Sequence, residues 1–118
     1  AGVLPADDNN KFSFEDRFIK KIKEVMGRHL GDDDFDINTL CEQVNMSRTQ
    51  LYRKFRSLTS QSPHDYFLKM KLHQARHLLL SSDLTVAEAA YRAGFKNVSH
   101  FSKAFTREFG INPSDIRR

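Results

Sequence analysis

Two histidines four residues apart, His73 and His77, have the spacing with which one face of a helix can chelate zinc. No third ligand stands near them in the sequence, and they read as surface histidines. Three successive carboxylates, Asp32-Asp33-Asp34, raise the question of a calcium loop. A loop begun at Asp32 would put Ile37 where glycine is required and Gln43 where glutamate is required, and one begun at Asp34 would end on Asn45. Neither matches, so the segment reads as a solvated acidic loop near a helix N-terminus. The single cysteine, Cys41, lies on an apolar helical face without a disulfide partner and reads as a small core residue. The chain has no glycine-rich phosphate loop, no carboxylate pair in a plausible cleft and no nucleophile-base arrangement. It is therefore not read as an enzyme, and no catalytic residue, metal or cofactor is expected.

The chemistry that remains is carried by basic and hydroxyl side chains, and it is concentrated in one part of the chain. Residues 1–45 hold six Lys/Arg against ten Asp/Glu, whereas residues 46–118 hold thirteen against five. The overall charge of +4 thus combines a leader at −4 with a remainder at +8, the footprint of a surface that meets phosphates.

That basic region belongs to a pattern stated twice. Ile37, Leu40, Cys41 and Val44 have one-face helical spacing, Met46-Ser47 form a turn and cap, and Leu51 and Phe55 share a face of the next helix. Val86, Ala89, Ala90 and Ala93 repeat the first helix at an offset of 49, and Phe101 and Phe105 repeat the second at 50. The extra residue falls in the turn Gly94-Phe95-Lys96-Asn97. Downstream, Ser60-Gln61-Ser62-Pro63-His64-Asp65 is answered by Gly110-Ile111-Asn112-Pro113-Ser114-Asp115. Two helix-turn-helix units are predicted, at about 36–59 and 84–109, and such a unit lays its second helix in a DNA groove.

Between them a helix is predicted over about 62–81, capped by Ser62 with Pro63 at its first position. Its apolar set is read as Tyr66, Met70, Leu72, Ala75, Leu78 and Leu79. A strut of about eighteen residues is roughly 27 Å long, against the ~34 Å between successive major-groove segments on one face of DNA. An earlier helix is expected from Phe14 to about His29, ended by Gly31, with Phe14, Phe18, Ile22, Val25 and Met26 in helical register. Residues 1–13 read as a linker or cloning remnant. The expected fold is all-α, and the absence of a long apolar run argues against a membrane span or secretory signal and for a cytoplasmic location.

Residues 36–118 resemble the AraC/XylS family of bacterial transcription regulators. The second unit carries the likeness: Thr85-Val86-Ala87-Glu88-Ala89-Ala90-Tyr91-Arg92-Ala93-Gly94-Phe95, then Ser99-His100-Phe101-Ser102-Lys103-Ala104-Phe105, then Glu108-Phe109-Gly110-Ile111-Asn112-Pro113-Ser114. The resemblance implies an AraC-type DNA-binding domain over residues 14–118, with about seven helices and two recognition helices joined by a long central one. It also implies an activator that touches RNA polymerase, here the C-terminal output domain of a response regulator or hybrid two-component protein. Ser60 stands where the family usually has glycine, Lys71-Leu72 replaces Arg-Leu, and Ile116 replaces a tyrosine.

Helical phase and the resemblance together nominate the DNA-facing residues. In the first recognition helix Leu51 and Phe55 face inward. By similarity Thr49, Tyr52 and Arg53 face bases, with Arg53 able to present two donors to guanine N7 and O6, while Arg48, Lys54 and Arg56 go to phosphates. In the second, Val98, Ser99, His100 and Lys103 are placed outward toward bases, Val98 as an exposed residue against a thymine methyl. Lys96, Asn97 and Arg107 are assigned to phosphates. Inward-facing aromatics argue against an RNA-stacking platform. The expected partner is double-stranded DNA; the isolated domain is expected to be monomeric and the full-length protein a dimer. The alternative reading is a helical protein-interaction module that docks an acidic partner on the basic face.

Overall fold

The computed structural model describes the backbone of residues 6–117 and the side chains of residues 17–117. Six α-helices follow in order: α1 (Ala6–Arg28), α2 (Ile37–Val44), α3 (Arg48–Thr59), α4 (Pro63–Ser81), α5 (Val86–Arg92) and α6 (Val98–Phe109), with a closing 3-10 turn at Pro113–Asp115. The described residues form no strand.

Each helix from α2 to α6 begins on a polar side chain that accepts a hydrogen bond from an otherwise unpaired N–H of the first turn. Asp36 accepts from Thr39 N–H at 2.9 Å, Ser62 from Asp65 N–H at 3.1 Å, and Asn97 from His100 N–H at 2.9 Å. Ser47 with Gln50 and Thr85 with Glu88 form reciprocal capping boxes. These caps carry the repeat into three dimensions: Asp36 and Thr85 open equivalent helices 49 residues apart, and Ser47 and Asn97 open the next pair 50 apart.

Two apolar cores result. Ile22, Val25 and Met26 of α1, Leu40 of α2, and Leu51 and Phe55 of α3 close the first, together with Phe35 and Phe67. The second gathers Leu72, Ala75 and Leu79 of α4, Ala89 and Ala90 of α5, and Phe101 and Phe105 of α6 around Phe95. The α4 helix belongs to both, touching α3 on one side and α5 and α6 on the other. Small alanines let α5 approach α4 closely, and the large rings of α6 fill the space so created. Truncating Phe55 or Phe105, both fully buried, would cost about 3–5 kcal/mol.

Several sequence expectations change. Helix α1 begins at Ala6 rather than near Phe14, because apolar periodicity marks a buried face and not helicity itself; Ala1–Pro5 of the expected linker lie outside the described residues. The same helix stops at Arg28, so Gly31 does not cap it. In α4 the buried ring is Phe67, whereas Tyr66, Met70 and Leu78 are half-buried. A single stripe cannot describe a helix that serves one core with its first half and another with its second.

The carboxy-terminal end is tied back. The Arg117 guanidinium donates to the carbonyls of Leu79 (2.6 Å), Ser82 (3.1 Å) and Leu84, acceptors at the C-terminal end of α4 and in the loop that follows it.

Candidate nucleic-acid interface

The α3 and α6 helices are each twelve residues long and each has one buried edge. Leu51 and Phe55 are fully buried on the first, and Phe101 and Phe105 on the second. On α3 this leaves Arg48, Thr49, Arg53 and Arg56 exposed; on α6 it leaves Ser99, His100, Lys103 and Arg107 exposed, with Lys96 and Asn97 exposed just before it. The two stripes are in phase under the fifty-residue offset, with Thr49 answered by Ser99 and Arg53 by Lys103. Neither stripe contains a carboxylate; the exposed Glu108 of α6 lies off it, toward His73 of α4.

Three nominated side chains are placed differently from the sequence reading. Val98 is half-buried, not exposed. It opens α6 at the margin between the exposed stripe and the buried edge that Phe101 begins. Tyr52 is also half-buried; its ring packs against the first core, with the Arg48 guanidinium carbon 5.3 Å from its centroid. Lys54, three residues after Leu51, turns toward α1, where its ammonium lies 4.3 Å from the centre of the Phe18 ring. Asn97 spends its side-chain oxygen on the helix cap, which fixes the first turn of α6 and aims His100 and Ser99 from a defined start.

The histidine pair of α4 diverges in use. His73 Nε2 lies 3.9 Å from a Glu108 carboxylate oxygen, and its ring meets Phe109 edge-on at 5.0 Å, tying α4 to the end of α6. In the acidic loop, Asp32 Oδ2 lies 3.3 Å from His29 Nδ1 and Asp32 Oδ1 accepts from Asp34 N–H at 3.0 Å. Burial pushes the Cys41 thiol above its ordinary pKa, so it stays protonated and behaves as a core residue.

Lys71 was not among the nominated residues, yet the structure gives it a central place on α4. It is half-buried, and the loss of solvent, followed by the nearby charge of Lys96, lowers its ammonium pKa below the ordinary value. Helical phase alone marks such a position as neither core nor surface.

A pair of capped recognition helices on one shared strut defines a double helix-turn-helix domain. The profile described as "Helix-turn-helix domain" matches residues 40–118. The chain belongs to the AraC/XylS family of helix-turn-helix DNA-binding domains. It is 38% identical over 86 residues to the "HTH-type transcriptional activator RhaS" of Escherichia coli, covering 73% of this chain and 31% of that protein. It thus spans about a third of the length of that relative. The C-terminal domain of the two-component response regulator yesN from Fusobacterium nucleatum superposes with a TM-score of 0.81 at 25% identity, covering 86% of this chain and 99% of that one. The DNA-binding domain of AdpA, solved in complex with a target DNA, gives a TM-score of 0.78 at 34% identity over 83% of this chain and 87% of its own.

Proposed function

We propose that residues 14–118 form a sequence-specific, double-stranded DNA-binding output domain that reads two adjacent major-groove segments, one with α3 and one with α6. The observation that carries this reading is the pair of carboxylate-free stripes on equivalent, capped helices fixed to one strut. Arg53 supplies the bidentate reader of the first segment and Thr49 a hydroxyl beside it; Ser99, His100 and Lys103 read the second. Tyr52 and Val98, each half-buried, contribute an edge of apolar surface suited to thymine methyl groups. Arg48, Arg56, Lys96, Asn97 and Arg107 hold the phosphates and set register. Lysine in place of arginine makes the second segment the less strictly read of the two, since an ammonium on a flexible stem lacks the planar fork.

The likeness to an activator and to a response-regulator output domain supports a role in transcription activation through contact with RNA polymerase, at the C-terminal end of a longer, cytoplasmic signalling protein. No described helix is long and apolar enough to cross a membrane. The isolated domain is then a monomer, and pairing by upstream segments raises apparent affinity ~10²–10⁴-fold on tandem sites.

Titration of fluorescent duplex at several salt concentrations tests the reading. Neutralising roughly six phosphates gives a slope of log affinity against log salt of about −5. A flat response, or binding lost entirely to competitor DNA of random sequence, would favour instead a protein-interaction module that uses the same basic face.

A further inference from the structure

The two apolar cores meet at one cation. The Lys71 ammonium lies 5.2 Å from the centre of Phe67, in the first core, and 4.9 Å from the centre of Phe95, in the second. It also approaches the Gly94 carbonyl at 3.5 Å as a donor. Each ring continues into its own unit. Phe67 meets Phe35 edge-on at 5.3 Å, next to the first helix-turn-helix, and Phe95 meets Phe101 at 4.9 Å, the first inward ring of α6.

Backbone of the loop after α1 reaches the same turn. A Cβ placed on Gly94 would stand 2.2 Å from the Leu30 carbonyl oxygen and 3.4 Å from Lys71 Cδ, and one placed on Gly31 would stand 2.9 Å from the Arg92 carbonyl oxygen. The loop after α1 and the turn before α6 are therefore pressed together through two glycines, with the Lys71 stem alongside. Phe67 stands one turn before Lys71 on α4, so the contacts that cross between elements are those to Phe95 and the Gly94 carbonyl; they hold the turn before α6 against the strut by direction, whereas an apolar side chain there would leave that turn free to shift.

We infer that Lys71 is a positioning residue that pins the α5–α6 turn to the strut and thereby sets the base-pair spacing at which α3 and α6 can read one duplex. This rests on the DNA-binding reading above. Each base pair turns the duplex by about a tenth of its helical repeat, so a pinned pair of recognition helices tolerates one spacing and an unpinned pair several.

The test begins with a duplex selected from random sequence by the intact chain and footprinted to locate its two segments. Versions with one base pair inserted or removed between the segments are then titrated with the wild type, Lys71→Met, Lys71→Arg and Gly31→Ala, each checked for cooperative melting. The wild type should lose roughly tenfold or more in affinity on either altered duplex. For Lys71→Met the penalty should shrink to about threefold or less, with Lys71→Arg restoring it because a guanidinium can face the same rings and carbonyl. If Lys71→Met does not fold, Gly31→Ala serves in its place, since it pushes the loop away from the Arg92 carbonyl while keeping the lysine, and it should flatten or shift the spacing profile. A wild type indifferent to spacing, or folded variants that keep its profile with only a uniform loss, would overturn the assignment. Failure of the wild type to select any duplex would instead overturn the DNA-binding reading, and the assignment with it.

Discussion

Ser60 and Gly110 close the two recognition helices in the same left-handed conformation, with φ of 63° and 72°, fifty residues apart. The geometry of the exit is thus kept even where the residue suited to it is missing. A left-handed serine costs on the order of 1 kcal/mol relative to glycine. Ser60→Gly should therefore raise the melting temperature by several degrees, and Gly110→Ala, with nothing within 4 Å of its new Cβ, should lower it through backbone strain alone. Thermal denaturation of both variants checks this, and equal effects of the same sign would refute it.

Reading and support separate on neighbouring residues of α3. Arg53→Ala should cost roughly 1–3 kcal/mol of binding and relax preference at one or two base pairs. Arg56→Ala should weaken all duplexes alike and reduce the salt slope by about one. Lys54→Ala should leave that slope unchanged and lower thermal stability, because its ammonium lies over Phe18. Salt titrations and melts of the three variants distinguish these outcomes.

Two caps make the fold sensitive to acid. Hydrogen bonds from the backbone N–H of Thr39 and of Thr85 hold the Asp36 and Glu88 carboxyls below their ordinary pKa values of 3.8 and 4.5. Their stabilising contribution is complete above those values and is lost as pH falls through the lower, folded ones. Both carboxyls are exposed, so the melting temperature should fall by a small step as pH drops below about 4. Asp36→Asn with Glu88→Gln should show less of that step, since asparagine caps nearly as well without titrating.

Arg117 offers a stability test away from DNA. Arg117→Ala removes the donors to Leu79, Ser82 and Leu84 and should cost about 1–2 kcal/mol, in keeping with its exposed position. Arg117→Lys should recover only part of this, as one ammonium cannot span three carbonyls. The salt slope of binding should not move in either variant.

The repeat was legible because inward residues are forced by burial: Leu40 and Ala89, Leu51 and Phe101, and Phe55 and Phe105 recur at the predicted offsets and are all fully buried. Two caps were legible for the same local reason, Ser47 after Met46 and Ser62 before Pro63, whereas Asp36, Thr85 and Asn97 were not read as caps. Less legible were residues whose surroundings come from distant chain. Lys54 was assigned to phosphates, but its ammonium lies over Phe18 of α1 on that flank. Val98 was taken as exposed, whereas it is half-buried at the start of α6. Lys71 was not singled out for a role, because only Phe67, one turn before it on α4, is a local neighbour, whereas Phe95 is brought to it by tertiary packing.

The shared strut also limits how this domain can be rearranged. Cutting the chain within α4 would strip the first unit of Phe67 or leave Leu72, Ala75 and Leu79 facing water. Either half alone would lose a wall of its core, so the recognition helices cannot be exchanged as separate cassettes by simple transplantation. On the proposed reading, new target preferences would be reached by changing side chains on the exposed stripes, while recombination would have to move the paired units together.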